Sequence, residues 1–542
     1  MPTTATSNQM YERVVEFLGH RYPQHLVNVH LVHSQAKLDE QAQAFHLAAI
    51  SDDDEDSEEG RIAAMTWFLP RKRTLLAPFA VGTVDQALMS VLQTKHFFVR
   101  LFGLNNKTVL FDEVHAYDTY METLFQRLLA WLAAAGTSVI VLSATLPAKT
   151  RRELVAAYTG NKRIELPQTP YPCLTWTDSG DVSAIALPAP PQRHVAMRWI
   201  GREPEAIAGT LRDKLEGGGC AAVICNTVGR AQDVYETLKN SGVVPDDNLT
   251  LFHARFPAGW RKEIEDKVVE RFRKKGQRPE RAIVVATQVI EQSLDLDFDV
   301  MVSDLAPVDL VLQRVGRLHR HPDNVRPPGL AAPTLFITKP ALQETLPVFE
   351  GDAYIYEPYI LLRSYLALRD KAQLDLPTDT PILIEQVYDA TEPDESLNEP
   401  WRSALVEAAH TMENEQRGAM RNALGNLIRK PEDERLFSDN LLALEEDNPD
   451  VHQALQALTR LIEPGGVDCV PAPNTSRSGA RTRRNWLSAW AGCTSRAGVD
   501  RQASATILDG PSPRRGATTS GSDTAVRMGT KRRASPPSSC RL

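Results

Sequence analysis

Between residues 100 and 340 the chain alternates short apolar runs with longer amphipathic stretches, the pattern of strands and helices in a parallel α/β sheet. Apolar runs at 108–111 and 139–142 predict two strands buried on both faces, as parallel strands usually are. Between them Leu124, Leu128, Leu129 and Leu132 share one face of a helix predicted over 120–135, with Gly136 as its stop. Residues 220–227 and 249–256 read as strands, followed by helices through Tyr235 and Leu238 and over 261–275. Two more strands flank a polar loop at 286–296, and a helix is expected over 308–319. Near the start, residues 2–19 predict a helix carrying Met10, Val14, Val15 and Leu18, and 27–34 alternates like a half-buried strand. From 346 to about 461 the chain is rich in Leu, Ala and Glu and reads as mainly helical; beyond 464 all periodicity stops.

At 542 residues the chain is long enough for two or more domains, and 42% hydrophobic residues suffice for ordinary cores. No run of eighteen apolar residues and no charged start leading into an apolar core is present, so nothing argues for a membrane span or secretion. The six cysteines show neither metal nor disulfide spacing, which suits a reducing cytoplasm. Irregular spacing of the histidines at 20, 25, 30, 33 and 46 favours surface or core residues over metal ligands. The net charge of −8 hides an asymmetry. Residues 464–542 hold 13 Lys and Arg against 4 Asp, a balance of +9, which leaves 48 basic and 65 acidic residues, or −17, in 1–463. Nucleic-acid contacts must therefore come from particular segments of an acidic body. The tail, without glutamate and rich in Ser, Arg, Gly and Pro, cannot bury enough apolar surface to offset its ordering entropy. It reads as disordered, either a basic nucleic-acid tail or an out-of-frame stretch.

Asp112 and Glu113 follow directly on the first of the central strands, at the sheet edge where ligands bind in open α/β folds. Adjacent carboxylates repel, so a cation is expected beside them, and magnesium with a phosphate is the economical candidate. A lone acidic pair after a strand would be read as a solvated loop. Here the pair belongs to Asp112-Glu113-Val114-His115, and the second strand ends in Ser143-Ala144-Thr145. Further on, residues 313–320 read QRVGRLHR, placing Arg314, Arg317 and Arg320 in steps of three on the predicted helix.

These three strings, in this order, resemble motifs II, III and VI of superfamily 2 DExH helicases. Other strings are similar to one branch of it, the CRISPR-associated type I helicase-nucleases: PTTATSNQM from Pro2, GTVDQ at 82–86, and the loop ATQVIEQSLDL at 286–296. The resemblance covers roughly residues 2–460. It implies two RecA-like doubly wound domains, the first (1–190) incomplete and the second at 191–345, then a helical region (346–463) and the tail (464–542). It implies ATP and Mg2+ as nucleotide and metal. Asp112 would hold the metal through water, Glu113 would orient and deprotonate the attacking water, and Arg317 and Arg320 would reach the γ-phosphate. His115, Glu291, Asp295 and Gln313 would face the nucleotide or link the two sites, with Ser143 and Thr145 as coupling residues. Thr3, Thr4, Thr83, Thr227 and Thr287 would contact the backbone of single-stranded DNA. The implied partners are that DNA and an RNA-guided CRISPR surveillance complex, with no membrane, and the implied activity is 3′-to-5′ translocation.

Two family features are missing from these residues. No G-x-x-x-x-G-K-[ST] loop occurs; residues 103–108, GLNNKT, lack the second glycine and precede a strand instead of linking one to a helix. No His-Asp dipeptide marks a metal-dependent nuclease. The expectation is a truncated helicase with impaired ATP hydrolysis. The alternatives are another superfamily 2 DNA motor and a DNA-binding remnant without enzymatic activity.

Overall fold

Residues 4–23, 27–32, 62–63, 74–94, 97–178, 180–274, 276–291, 295–389, 396–432 and 459 are described by a computed structural model. The acidic run at 51–60, the basic patch at 71–73 and the tail beyond 464 lie outside the described residues. Helix α1 (Thr4–Arg21) precedes a small parallel sheet, in which β1 (Val27–Val32) lies between β2 (Ile62–Ala63) and β3 (Phe79–Gly82). All six residues of β1 are buried, where alternation had predicted a half-buried strand. The reason is its central place in the sheet: Val27 and Val29 pack with Tyr11 and Leu18 of α1. Gly82 lies opposite Val32, and an added Cβ there would sit 2.3 Å from the Val32 carbonyl oxygen. Only glycine tolerates that approach.

Short helices α2 (Val84–Leu88) and α3 (Phe97–Leu104) lead to β4 (Thr108–Phe111), α4 (Thr119–Ala134), β5 (Ser138–Val141) and α5 (Ala148–Thr159). Helix α4 starts where Asp118 caps it, accepting the Met121 amide at 2.8 Å, and stops at Gly136, whose φ is +67°. Strands β4 and β5 pair in parallel, Thr108 opposite Ser138 through Phe111 opposite Val141. Among the described residues only one face of this pair is covered. Phe111, Val109, Val139 and Val141 pack against α4, while Leu110, Ile140 and Leu142 on or beside the other face are 47%, 44% and 44% exposed. The expectation of burial on both faces fails here, because no described element lies over that side. Next comes an antiparallel hairpin, β6 (Cys173–Asp178) with β7 (Asp181–Ala186), which the sequence pattern did not announce.

The second domain is built from β8 (Arg193–Ile200), α6 (Pro204–Lys214), β9 (Gly219–Ile224), α7 (Val228–Ser241), β10 (Leu249–Phe252), α8 (Ala258–Phe272), β11 (Arg281–Ala286), β12 (Val300–Asp304), α9 (Val308–Val315) and β13 (Thr334–Thr338). Its seven-stranded sheet runs β10-β11-β9-β12-β13-β8, closed at the far edge by β16 (Gln373–Leu376), the sole antiparallel member. Alternate residues of β9 serve two cores: Cys220, Ala222 and Ile224 face one side, Ala221 and Val223 the other. That is the double burial a doubly wound sheet requires. Two expectations are corrected. Strand β10 ends at Phe252, since residues 253–256 turn away, and α9 ends at Val315 instead of 319, because Leu318 is drawn into a bridge beside Phe298.

A small hairpin, β14 (Ala341–Gln343) and β15 (Leu346–Val348), precedes α10 (Pro358–Leu368), β16 and α11 (Asp379–Tyr388). These elements finish the second domain's sheet and core. Last comes α12 (Glu399–Asn426), 28 residues long.

Candidate nucleotide and nucleic-acid site

The acidic pair sits at the carboxyl end of β4, as the position of its strand requires. Among the described residues Asp112 makes one hydrogen bond, accepting the Glu113 amide at 3.0 Å. Glu113 adopts a left-handed backbone (φ 56°, ψ 43°), an uncommon conformation for a non-glycine residue and one that gathers at functional sites. Its carboxylate lies 3.5 Å from the ring of His115. His115 is the junction of the site: Nδ1 is 3.0 Å from the Ser143 hydroxyl, and Nε2 meets the side-chain amide of Gln313 on α9. Strings 28 and 198 residues away from His115 thus meet at its imidazole, and Gln313 brings the second domain against the first. Thr145 is buried, and its hydroxyl has no partner among the described residues.

The three arginines differ sharply. Arg314 is fully buried and donates to Glu291 (2.6 Å), the Ser303 hydroxyl (2.7 Å), the Asp304 carbonyl (3.0 Å) and the Tyr356 hydroxyl (3.2 Å). Burial is the largest single influence and would lower its pKa, but Glu291, Tyr356 and Asp304 together outweigh it and hold Arg314 above the ordinary value. Arg314 is therefore a structural anchor. Arg317, just past the helix, donates to the carbonyls of Ile290 (2.9 Å) and Glu291. Burial and the neighbouring Arg320 push it down to about 10, against the pull of Glu291, Glu113 and Asp295. Arg320, 43% exposed, pairs with Asp295 at 2.9 Å, and its amide donates to Asp297 at 2.7 Å. The expected common helix face for the three does not exist, because the chain leaves the helix at Gly316.

Glu291 and Asp295 both turn to arginines: Glu291 to Arg314, Asp295 to Arg320 and His321. Gln292 lies outside the described residues, as does Thr3; Thr4 opens α1, and its side chain is likewise outside them. Thr83 stands at the N-terminus of α2, buried, its hydroxyl without a partner among the described residues. Thr227 caps α7, accepting the Arg230 amide at 3.3 Å, and Thr287 directly follows β11, its amide donating to the Phe252 carbonyl at 3.2 Å. These two lie at the carboxyl edge of neighbouring strands, as phosphate contacts in an open sheet should.

Sequence reasoning missed Tyr356, which receives hydrogen bonds from Arg314 and from Gln288 (2.9 Å), and whose hydroxyl burial pushes up to about 12. It also missed His253, buried just after β10, stacked on Phe256 at 4.2 Å, with neither ring nitrogen hydrogen-bonded to another residue among the described ones. Burial, with Arg255 nearby, lowers it to about 4 despite an opposing backbone hydrogen bond, so it is neutral near pH 7. Nothing in the local pattern marks either residue.

Among the described residues no group of three His, Cys, Asp or Glu could hold a metal. The two carboxylates fit a hard cation that takes its remaining oxygens from phosphate and water. They supply no phosphate cradle.

Two RecA-like domains, with an acidic strand end in one and an arginine-bearing segment of the other brought together through a histidine, define a superfamily 2 helicase architecture. Residues 217–323 match the family model "CRISPR-associated nuclease/helicase Cas3, C-terminal". The chain is 37% identical to the CRISPR-associated endonuclease/helicase Cas3 of Thermus thermophilus over 87% of its own length and 55% of that protein. It is similar to the crystal structure of T. fusca Cas3 with AMPPNP (36% identity, TM-score 0.69, 79% of this chain and 49% of that one). It is also similar to a chain in a CRISPR RNA-guided surveillance complex, pre-nicking (33% identity, TM-score 0.61, 79% and 52%). Over most of its length the chain is similar to Cas3 nuclease/helicases. It spans about half the length of the curated relatives it matches.

Proposed function

We propose that this chain is the motor part of an ATP-driven, 3′-to-5′ single-stranded-DNA translocase of type I CRISPR interference, working in the cytoplasm. The observation that carries the reading is the meeting of Glu113, His115 and Ser143 with Gln313 across one cleft, with Arg317 close enough to feel the Glu113 charge. Asp112 would hold Mg2+ through water, and the ion would neutralise phosphate charge. Glu113 would orient the attacking water and take its proton. Arg317 and Arg320 would swing from the Ile290 carbonyl and from Asp295 toward the γ-phosphate. Gln313 and His115 would report that movement to Ser143, and Thr4, Thr83, Thr227 and Thr287 would grip DNA phosphates, joined by Thr3. AMPPNP bound to the T. fusca relative supports ATP as the nucleotide. The surveillance-complex structure supports an RNA-guided complex as the partner.

We further propose that residues 1–542 alone hydrolyse ATP poorly. The bare face of β4 and β5, with Leu110, Ile140 and Leu142 exposed, supports a sheet that lacks a strand and the phosphate loop that would follow it. Without that loop the γ-phosphate is not fixed against the water Glu113 positions, and proximity gains on the order of several kcal/mol are forfeited. The test is DNA-stimulated phosphate release by the purified chain, alone and with a strand–loop–helix unit fused upstream. Turnover should be weak alone, rise in the fusion, and vanish with Glu113→Gln. Strong turnover by the chain alone, lost on Glu113→Gln, would overturn the second proposal. A fusion that binds single-stranded DNA but never turns over would favour a DNA-binding remnant.

A further inference from the structure

Helix α12 does not belong to one domain. At its start Asn398 caps it (3.2 Å to the Trp401 amide), Trp401 is stacked on Tyr365 of α10 at 6.0 Å, and Leu405 is buried in the second domain's core. At its end Ala419, Ala423, Leu427 and Ile428 are buried in the first domain's core against α4. The backbone is fastened there as well: Leu92 bridges Leu427, Ile428 donates to Val91 at 2.9 Å, and the Trp131 indole donates to the Arg429 carbonyl at 3.0 Å. Between these anchors residues 413–417 are all exposed, more than a full helical turn with no buried side. A helix that is polar all round is what spans solvent between two bodies.

We propose that α12 is a strut that sets the separation of the two motor domains. Leu405 and Ala419 are 14 positions apart, so the free span is about 21 Å of helix. A flexible linker would leave one end loose; here both ends are held in apolar cores, and the distance can change only if the helix bends or an anchor withdraws. Glu415 stands near Glu357 at the start of α10, and this like charge disfavours collapse of the bare turn onto the second domain. Closure of the cleft therefore works against a defined length.

The inference does not depend on ATP or DNA, and its test reads distance alone. Fluorophores would be placed through non-canonical amino acids at Lys162 in the first domain and Asn240 in the second, both exposed, in the full chain. One variant inserts a seven-residue helical repeat between residues 415 and 416, which keeps both anchor faces in register within about 20° and adds about 10 Å. A second carries Glu413→Gly with Glu415→Gly, where no buried side chain is lost. The insertion should shift the mean inter-dye distance by several ångström, and the double glycine variant should broaden its distribution. Should the insertion fail to fold, the glycine variant decides alone. An unchanged mean with the insertion, or an unchanged width with the glycines, would overturn the strut.

Discussion

Single residues show how differently one residue type can be used three positions apart. Arg314 and Arg317 share a string, yet the first ends in a carboxylate inside the second core and the second rests on two carbonyls beside the cleft. Arg314→Ala leaves Glu291 buried without its partner, so the unfolding free energy should drop by about 3–5 kcal/mol in denaturant titration. Arg317→Ala should cost about 1–3 kcal/mol, since two buried carbonyls lose their donor, and should lower turnover in the fusion by about 10³-fold or more. Glu122 in the first turn of α4 is a third case. Burial, then the nearby Glu153 and Asp118, raise its carboxyl from 4.5 to about 7, against the pull of Lys149. An acid whose folded pKa lies above the unfolded value is stabilising below the unfolded pKa and loses that contribution as pH rises through the folded one. Melting curves from pH 4.5 to 7.5 should therefore show a loss of roughly 2 kcal/mol that is absent in Glu122→Gln.

At the scale of elements, strand and helix positions were mostly legible and their surroundings were not. Periodicity placed α4 within a residue, because Leu124, Leu128, Leu129 and Leu132 mark one face and Gly136 marks its end. Asp118→Ala should lower stability by about 1 kcal/mol through the lost cap. The run at 308–319 looked like one helix, but its last turn is unwound by a bridge to Phe298, a residue that lies outside any local window. Strands β4 and β5 read as doubly buried because apolar runs say nothing about how many layers surround them. Their bare face is an association hazard. Ile140→Thr should reduce self-association in light scattering with a change in stability under about 1 kcal/mol, since a half-exposed methyl contributes little.

For the whole molecule, the second domain is the best-formed body. Its sheet is buried on both sides and extends from Arg193 to Leu376, past the boundary near 345 that motifs alone suggested. Limited proteolysis should leave a protected fragment covering at least residues 200–340. Absence of such a fragment would contradict the description of that sheet. Because α12 reaches into the first core, a fragment ending before Glu399 should lose protection in α4 as well.

The sequence by itself determined the α/β class, the order of the central strands and helices and the identity of the acidic, histidine and arginine strings, because these depend on local periodicity and fixed spacing. It also carried the resemblance to Cas3 nuclease/helicases. Only the tertiary structure decided which arginine is buried, that Glu291 and Asp295 turn to arginines, and that Tyr356 joins their network. It alone showed one face of β4 and β5 bare and one helix held in both cores. These are matters of contact between residues up to 337 positions apart, and no local pattern of polar and apolar positions encodes which distant surface comes to lie against which.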